Sequence, residues 1–384
     1  MMSVCDDNKL PLADDNCCQP AAKAVCCDVG GALSGYPQNR PWVIGDRSTS
    51  AGPVPKIATQ LTLQDRIEHW KVRWNIGRMR YAIAPGLYAV GSPTSESPVF
   101  VSANFKISFD RLREALDGLD GWILVLDTKG INVWCAAGKG TFGTEEIVGR
   151  IAATRLPDIV SHRKLIVPQL GAPGVAAHEV KKLSGFTVRY GPVRAHDIQA
   201  FLRVSLKASP EMRRVHFPLR DRLALVPVET IQWGKWGLMI VAVLGLLSGF
   251  GSGVYSLDRM LFHGVRAATP ILGGTLAGAI LTPWLLPWLP GRAFASKGGW
   301  AGATWLVLLG LIVLLNPHLM PGWADFAAWL LLTPSIASFV GMNFTGTSTY
   351  TSLSGVRKEM RVAVPIQVGA MITGLGFWIA GRFV

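Results

Sequence analysis

The residues best equipped for chemistry lie in one short run, Asn132 to Gly140, which reads NVWCAAGKG. If Asn132 caps a helix, Cys135 falls in its first turn, where unbonded backbone N–H groups favour a thiolate, and a thiolate is a ligand for a soft metal. Ala136, Ala137 and Gly138 carry almost no side-chain bulk, which leaves room for a flat macrocycle to lie across the helix with its metal near sulfur. A lone cysteine is more often a small core residue, and that reading stays open on the run alone. Other motif readings fail on spacing. Gly138-Lys139-Gly140-Thr141 resembles the end of a phosphate loop, but Val133 stands where its first glycine belongs and Gly140 where its hydroxyl belongs. His178-Glu179 has Lys182 where a zinc-protease helix needs its second histidine. No Asp-x-His-x-x-Gly segment offers a histidine to cobalt.

The elements around this run alternate between short apolar stretches and helical patterns, the signature of strands joined by crossover helices in a largely parallel sheet. Strands are predicted at Val99–Val101, Trp122–Leu126, Leu165–Val167 and Thr187–Tyr190, and helices near 109–117, 144–156, 174–183 and 195–206. The fold class is therefore α/β, a compact Rossmann-like unit. In open sheets of this kind the ligand lies beyond the carboxyl ends of the strands. Those ends read Ser102-Ala103-Asn104, Asp127 to Gly130, Pro168 to Pro173 and Gly191 to Ala195, rich in small residues that let backbone approach a large ligand. Ahead of the sheet, Leu63, Ile67, Trp70, Trp74 and Ile76 recur at helical intervals and predict a helix over 61–81 packed on the domain; its basic face is equally able to touch a membrane surface.

Composition changes abruptly near Trp236. Of 38 Lys and Arg and 25 Asp and Glu, only eight and three lie beyond residue 235. Charge-free windows of spanning length run Trp236–Leu257, Ala267–Gly291, Gly298–Ala324, Phe326–Val356 and Val362–Gly381, which predicts an all-α transmembrane bundle of about five helices. Pro283, Pro287 and Pro290 break the end of the second span, and Asn343 to Gly355 reads as a polar link before the fifth. No span has an ionisable residue at its centre, which disfavours a pure transporter. The expected organisation is a flexible tail over 1–55, a cytoplasmic ligand-binding domain over 56–230 and the bundle over 231–384. No signal peptide is expected, and Lys235, Arg292, Lys297, Arg357, Lys358 and Arg361, against Arg259, Arg266 and Arg382 opposite, place the front domain on the cytoplasmic side of a multi-pass inner-membrane protein. The net charge of +13 comes without a nucleic-acid-binding pattern, so anionic lipid or an acidic partner is the expected counterpart and nucleic acid is not. Five of the six cysteines, Cys5, Cys17, Cys18, Cys26 and Cys27, crowd the tail in spacings that suit neither zinc nor an iron–sulfur cluster; thiol capture of a soft metal is the functional alternative to plain disorder.

NVWCAAGK, Asn132 to Lys139, matches the cap-helix signature of the HgcA family, the corrinoid proteins of mercury-methylating pairs, and VFVSANF and YGPVRA resemble the corrinoid domain of the corrinoid iron–sulfur protein large subunit. The resemblance implies a cobalamin-type cobalt corrinoid with Cys135 as its lower axial ligand. Asn132, Val133, Trp134, Ala136, Ala137, Gly138 and Lys139 would position or line it, together with Ser102, Asn104, Gly191, Pro192, Val193 and Ala195 from the strand ends. It further implies a methyl carrier cycling between Co(I) and methyl-Co(III), charged from a methyltetrahydrofolate-type donor through a methyltransferase and discharging to Hg(II). Low-potential electrons would come from an HgcB-like ferredoxin with two 4Fe–4S clusters, since this chain has no cluster-binding cysteine run. A corrinoid methyl carrier for another acceptor in one-carbon metabolism is the alternative, and a cobalt-free transporter or scaffold a third. The paired cysteines of the tail are not part of the signature.

Overall fold

The computed structural model describes residues 40–251, 254–316, 322–347 and 353–383. The cysteine-bearing part of the tail, and any role for its thiols, lie outside the described residues.

Seven strands form one sheet: β1 (Val43–Thr49), β2 (Gly52–Ile57), β3 (Gly86–Val90), β4 (Val99–Ala103), β5 (Gly121–Leu126), β6 (Lys164–Val167) and β7 (Thr187–Tyr190), in the order β1-β2-β3-β5-β4-β6-β7. The four strands expected from sequence are all present, and β5, β4, β6 and β7 pair in parallel. β3 runs antiparallel to β5 and carries β2 and β1 outward. The sheet therefore begins at Val43, ahead of the boundary expected at residue 55. β2 escapes a sequence reading because Pro53 and Pro55 remove two ladder donors; it pairs with β3 only at Lys56 and Ile57, so the prolines sit where that side of the strand is effectively an edge.

Alternation along β4 and β5 sends side chains to two cores. Val99, Val101, Trp122, Leu124 and Leu126 join Val133, Ala136, Ala137 and Phe142 on one face, while Phe100, Ile123 and Val125 meet Phe109, Leu112 and Phe201 on the other. The α/β part has eight helices: α1 (Leu63–Arg73), α2 (Lys106–Ala115), α3 (Val133–Lys139), α4 (Thr144–Ala153), α5 (Leu156–Ile159), α6 (Ala177–Ser184), α7 (Ile198–Arg203) and α8 (Leu219–Leu223). Four of the expected helices are broken or shortened. The helix expected over 61–81 ends at Arg73, where Asn75 and Gly77 adopt left-handed backbone, and resumes as a 3-10 turn at Arg78–Tyr81. Arg155, also left-handed, separates α4 from α5. Gln169–Gly174 and Ala195–Asp197 are 3-10 turns that precede the shortened α6 and α7.

α1 departs furthest. Leu63, Ile67 and Trp70, expected to pack on the domain, are 75%, 45% and 55% exposed, and the buried side is Asp65, His69 and Val72. The cause is a buried ionic cluster between α1 and α2. Lys106 Nζ lies 2.6 Å from both Asp65 Oδ1 and Asp110 Oδ2, Arg113 Nε 2.7 Å from Asp110 Oδ1, and His69 Nε2 2.6 Å from Asp110 Oδ2. Burial alone would raise the Asp65 carboxyl, but Lys106, the Thr62 backbone N–H and Arg113 outweigh it and hold it well below the usual carboxylate range; His69, Lys106 and Arg113 do the same for Asp110.

The remaining helices are α9 (Val226–Leu247), α10 (Leu257–Leu276), α11 (Thr282–Leu285), α12 (Phe294–Leu315), α13 (Trp323–Thr347) and α14 (Leu353–Ala380). They supply five segments long and apolar enough to cross a membrane, Leu219–Leu247, Leu257–Leu285, Phe294–Leu315, Trp323–Phe344 and Gly355–Ala380. α13 takes in the first five residues of the link expected from Asn343, so part of that stretch is helical. α12 and α13 touch through Gly298 and Gly302, where an added Cβ would come within 2.4 Å of Ala337 O and 2.7 Å of Pro334 Cα. α8 ties the two parts together: Arg222 Nη1 donates to the carbonyls of Pro283 (2.9 Å) and Trp284 (3.1 Å).

Candidate functional site

The parallel strands run in the order second, first, third, fourth, so the direction of winding reverses between β4 and β6. A crevice opens at such a reversal, and its walls here are the carboxyl ends of β4 and β6 with the segment after β5. That segment is built tightly. Lys129 and Gly130 are both left-handed, and Asn104, fully buried at the end of β4, accepts at Oδ1 from Thr128 N (3.1 Å), Thr128 Oγ1 (2.7 Å) and Gly130 N (2.9 Å). From the other side Glu146 of α4 accepts from Asp127 N at 2.8 Å. The chain leaves this staple at Ile131 and enters α3 directly.

Asn132 caps α3 as expected, its Oδ1 accepting from Cys135 N at 2.9 Å, and Gly140 closes the helix in left-handed backbone. Cys135 is half-buried and is the only cysteine among the described residues. Val133, Ala136 and Ala137 turn into the core, whereas Trp134 and Cys135 are half-buried and Gly138 and Lys139 exposed. The small size of Ala137 serves packing: Gly174 lies so close beneath it that a Cβ there would be 3.0 Å from Ala137 Cα. The face open to a ligand is thus Trp134, Cys135, Gly138 and Lys139.

Of the strand-end residues, Asn104 acts through the loop it staples, and Ser102 is buried with only a 3.3 Å contact to Ala103 O. Gly191 and Pro192 are buried after β7; Val193 N bonds Met212 O (2.8 Å), Arg194 donates to His216 O (2.6 Å), and Ala195 leans on the core opposite α3. The structure therefore gathers 104 and 127–139 into one assembly and carries 191–195 toward the α8 side.

Three further residues belong to the site and were not expected from sequence. Arg78 is half-buried with its guanidinium 5.2 Å above the Phe105 ring. Burial lowers its pKa, and the charges of Cys135 and Glu229 act on it in the opposite direction. Glu229, buried in the first turn of α9, receives Trp233 Nε1 at 3.2 Å, and its charge reaches the Arg78 guanidinium. Gln169, in the turn after β6 that packs on α3, buries an Oε1 with no hydrogen-bond partner. The basic run of residues 78–80 was the available signal for Arg78; tertiary contact alone reveals the others.

Residues 77–202 match the family model described as CdhD, the CO dehydrogenase/acetyl-CoA synthase delta subunit. Similar proteins include the acetyl-CoA decarbonylase/synthase complex subunit gamma of Archaeoglobus fulgidus, 32% identical over 136 residues, which cover 34% of this chain and 28% of that one. The gamma subunit of Methanopyrus kandleri is 32% identical over 122 residues, 31% of this chain and 26% of its own. The corrinoid/iron-sulfur protein large subunit of Moorella thermoacetica is 30% identical over 122 residues, covering 31% and 27%. The chain thus spans little more than a quarter of the length of these relatives. The matched CdhD-family segment holds Arg78, Asn104, Asn132–Lys139 and Gln169 and stops short of α8 and the bundle.

Proposed function

We infer that this chain is a corrinoid-dependent methyl carrier in which Cys135 is the lower axial ligand of cobalt and Hg(II) is the methyl acceptor. The observation that carries the reading is the half-buried Cys135 held by the Asn132 cap at the first turn of α3, on a domain similar to one relative that is named a corrinoid protein. The residues present fit such a group. Sulfur is a suitable donor for a soft metal, Gly138 leaves the open face of α3 flat, and Gln169 Oε1 is an unused acceptor on the turn packed against α3, suited to the amide-bearing rim of a corrin.

Bound there, the corrinoid supplies a cobalt centre that accepts a methyl group from a folate-type donor and releases it to the acceptor. The protein's part is to hold Cys135 in one rotamer space through the Asn132 cap and the Asn104 staple, and to support negative charge on sulfur with the Arg78 guanidinium. A sulfur ligand from Cys135 would add electron density to such a centre, which suits methyl delivery to a thiophilic cation. An HgcB-like ferredoxin re-reduces cobalt, and the α/β domain faces the cytoplasm, where donor and reductant are found. The names of the relatives favour a second reading, with the same carrier serving another acceptor in one-carbon metabolism.

Cobalt analysis and the visible spectrum of full-length protein, expressed with corrinoid and purified in detergent, test the first element: bound cobalt and a corrin spectrum are expected, and a colourless, cobalt-free protein overturns the reading. Adding Hg(II) to the methylated holoprotein separates the acceptors, since only the preferred reading gives one equivalent of methylmercury. Cys135→Ala is expected to abolish that product, and full activity in this variant excludes an essential sulfur ligand.

A further inference from the structure

α1 has its apolar side facing away from its own domain. Leu63, Ile67, Trp70 and Trp74 follow each other at intervals of four, three and four, which sets them in one stripe along the helix. Trp70 and Trp74 stack with ring centroids 5.3 Å apart, 55% and 37% exposed. At about 100° per residue, Arg66 and Arg73 border the stripe on one side and Lys71 on the other. The back of the helix is committed to the ionic cluster with α2, so α1 cannot roll over to bury the stripe without stranding Asp65 and His69.

We propose that α1 is an interfacial anchor: its outward stripe seats among the headgroups of an anionic leaflet, on the same side of the membrane as the α/β domain. Charge selects this occupant. Cations edge the stripe on both sides and no carboxylate does, which suits a surface that presents apolar chain and negative headgroup everywhere around an inserted ridge. Position agrees. The charges of Arg220 and Asp221 in α8 reach the Arg73 guanidinium at the end of α1, and α8 is bonded through Arg222 to the end of the second span. There Trp284 and Trp288, 48% and 70% exposed, form the kind of aromatic belt that marks a bilayer interface. Seated in the same interface, the stripe would fix how the domain, and with it Cys135, stands over the membrane.

The test uses the full chain in nanodiscs of phosphatidylcholine, with or without phosphatidylglycerol, each doped with a lipid carrying a diazirine near its headgroup. After irradiation, adducts are mapped by peptide mass spectrometry. Labelling of 63–74 in the anionic discs comparable to that of 284–288 is expected, with loss of the 63–74 signal in an Ile67→Gln, Trp70→Gln double variant. Amide protection of 106–115 in that variant verifies that α1 still sits on α2. Absence of label on 63–74 while 284–288 is labelled overturns the proposal, as does equal labelling without phosphatidylglycerol. A benzophenone side chain in place of Trp70, irradiated in native membranes, is expected to give a lipid adduct; a protein adduct there assigns the stripe to a partner and overturns it too.

Discussion

Two polar centres lie on opposite faces of the same sheet, and they are finished to different degrees. Between α1 and α2, Asp65, His69, Lys106, Asp110 and Arg113 are all buried, and each carboxylate is met by at least two donors. At α3, Cys135 is half-buried, its near neighbours Gly138 and Lys139 open to solvent, and Gln169 keeps an acceptor in reserve. In the closed centre the charges meet one another, down to Arg113 Nη2, which forms no hydrogen bond but lies 2.9 Å from Asp65 Oδ2, and its residues are accounted for by the packing of the two helices. The half-open centre costs the fold little and leaves chemistry undone, which is the mark of a site. Buried charges of perturbed pKa are commonly taken to flag function. Here the most perturbed carboxylates are structural, and Cys135, the proposed ligand, is the less conspicuous residue.

Acid should break this contrast most severely, because it strikes both carboxylates of the closed centre together. Asp65 and Asp110 have folded pKa values below those of the unfolded chain, so the stability they contribute is fully present above the ordinary carboxylate value of about 4 and is lost as pH falls through the folded values. Amide exchange in 63–73 and 106–115 should stay flat from neutral pH down to about 4 and rise steeply below it. A rise already near pH 6 would show that the two aspartates do not govern the seam.

Removing one member of the closed centre is the next largest change. Asp110→Ala takes one carboxylate from each of the buried Lys106, Arg113 and His69 and should cost about 3–5 kcal/mol by chemical denaturation. Corrinoid binding by the fraction still folded should be unaltered, since α3 lies on the other face. Coupled loss of both would mean that the two faces of the sheet are not independent.

Asn104→Ala tests the one residue that links strand end to site. The substitution orphans the buried Gly130 N and takes from Thr128 N one of its two acceptors, leaving Leu126 O. It should cost about 2–3 kcal/mol and, because the released loop carries Asn132, weaken cobalt retention as well. Lost stability with full cobalt retention would reduce Asn104 to a staple with no bearing on the site.

How much of this was readable in advance depends on whether the determining contacts are local. β4 and β5 are buried on both faces and appear in sequence as unbroken apolar runs; the spans appear as windows without charge; the cap appears as Asn three residues before Cys. α1 was read with the wrong face inward because periodicity marks an apolar stripe without saying what it faces, and the groups that decided the matter, Lys106 and Asp110, lie 41 residues away from Asp65 and His69. β1 and β2 were hidden by glycine and proline, and β3 by its place in a turn-rich stretch. Arg78, Glu229 and Gln169 come to the site only through tertiary packing, and no spacing rule connects residues 78, 135, 169 and 229.

The smallest expected change in stability belongs to the residue with the largest expected role. Cys135→Ala removes a half-buried sulfur, leaves the Asn132 cap intact because the bond is made by the Cys135 backbone N–H, and introduces a residue of good helix propensity. Its effect on denaturant midpoint should stay within about 1 kcal/mol, the range of substitutions that neither open a core cavity nor strand a polar group. Methyl transfer to Hg(II) should vanish in the same preparation. A destabilisation of several kcal/mol would instead return Cys135 to the core as a packing residue, and the difference drawn between the two centres would fall with it.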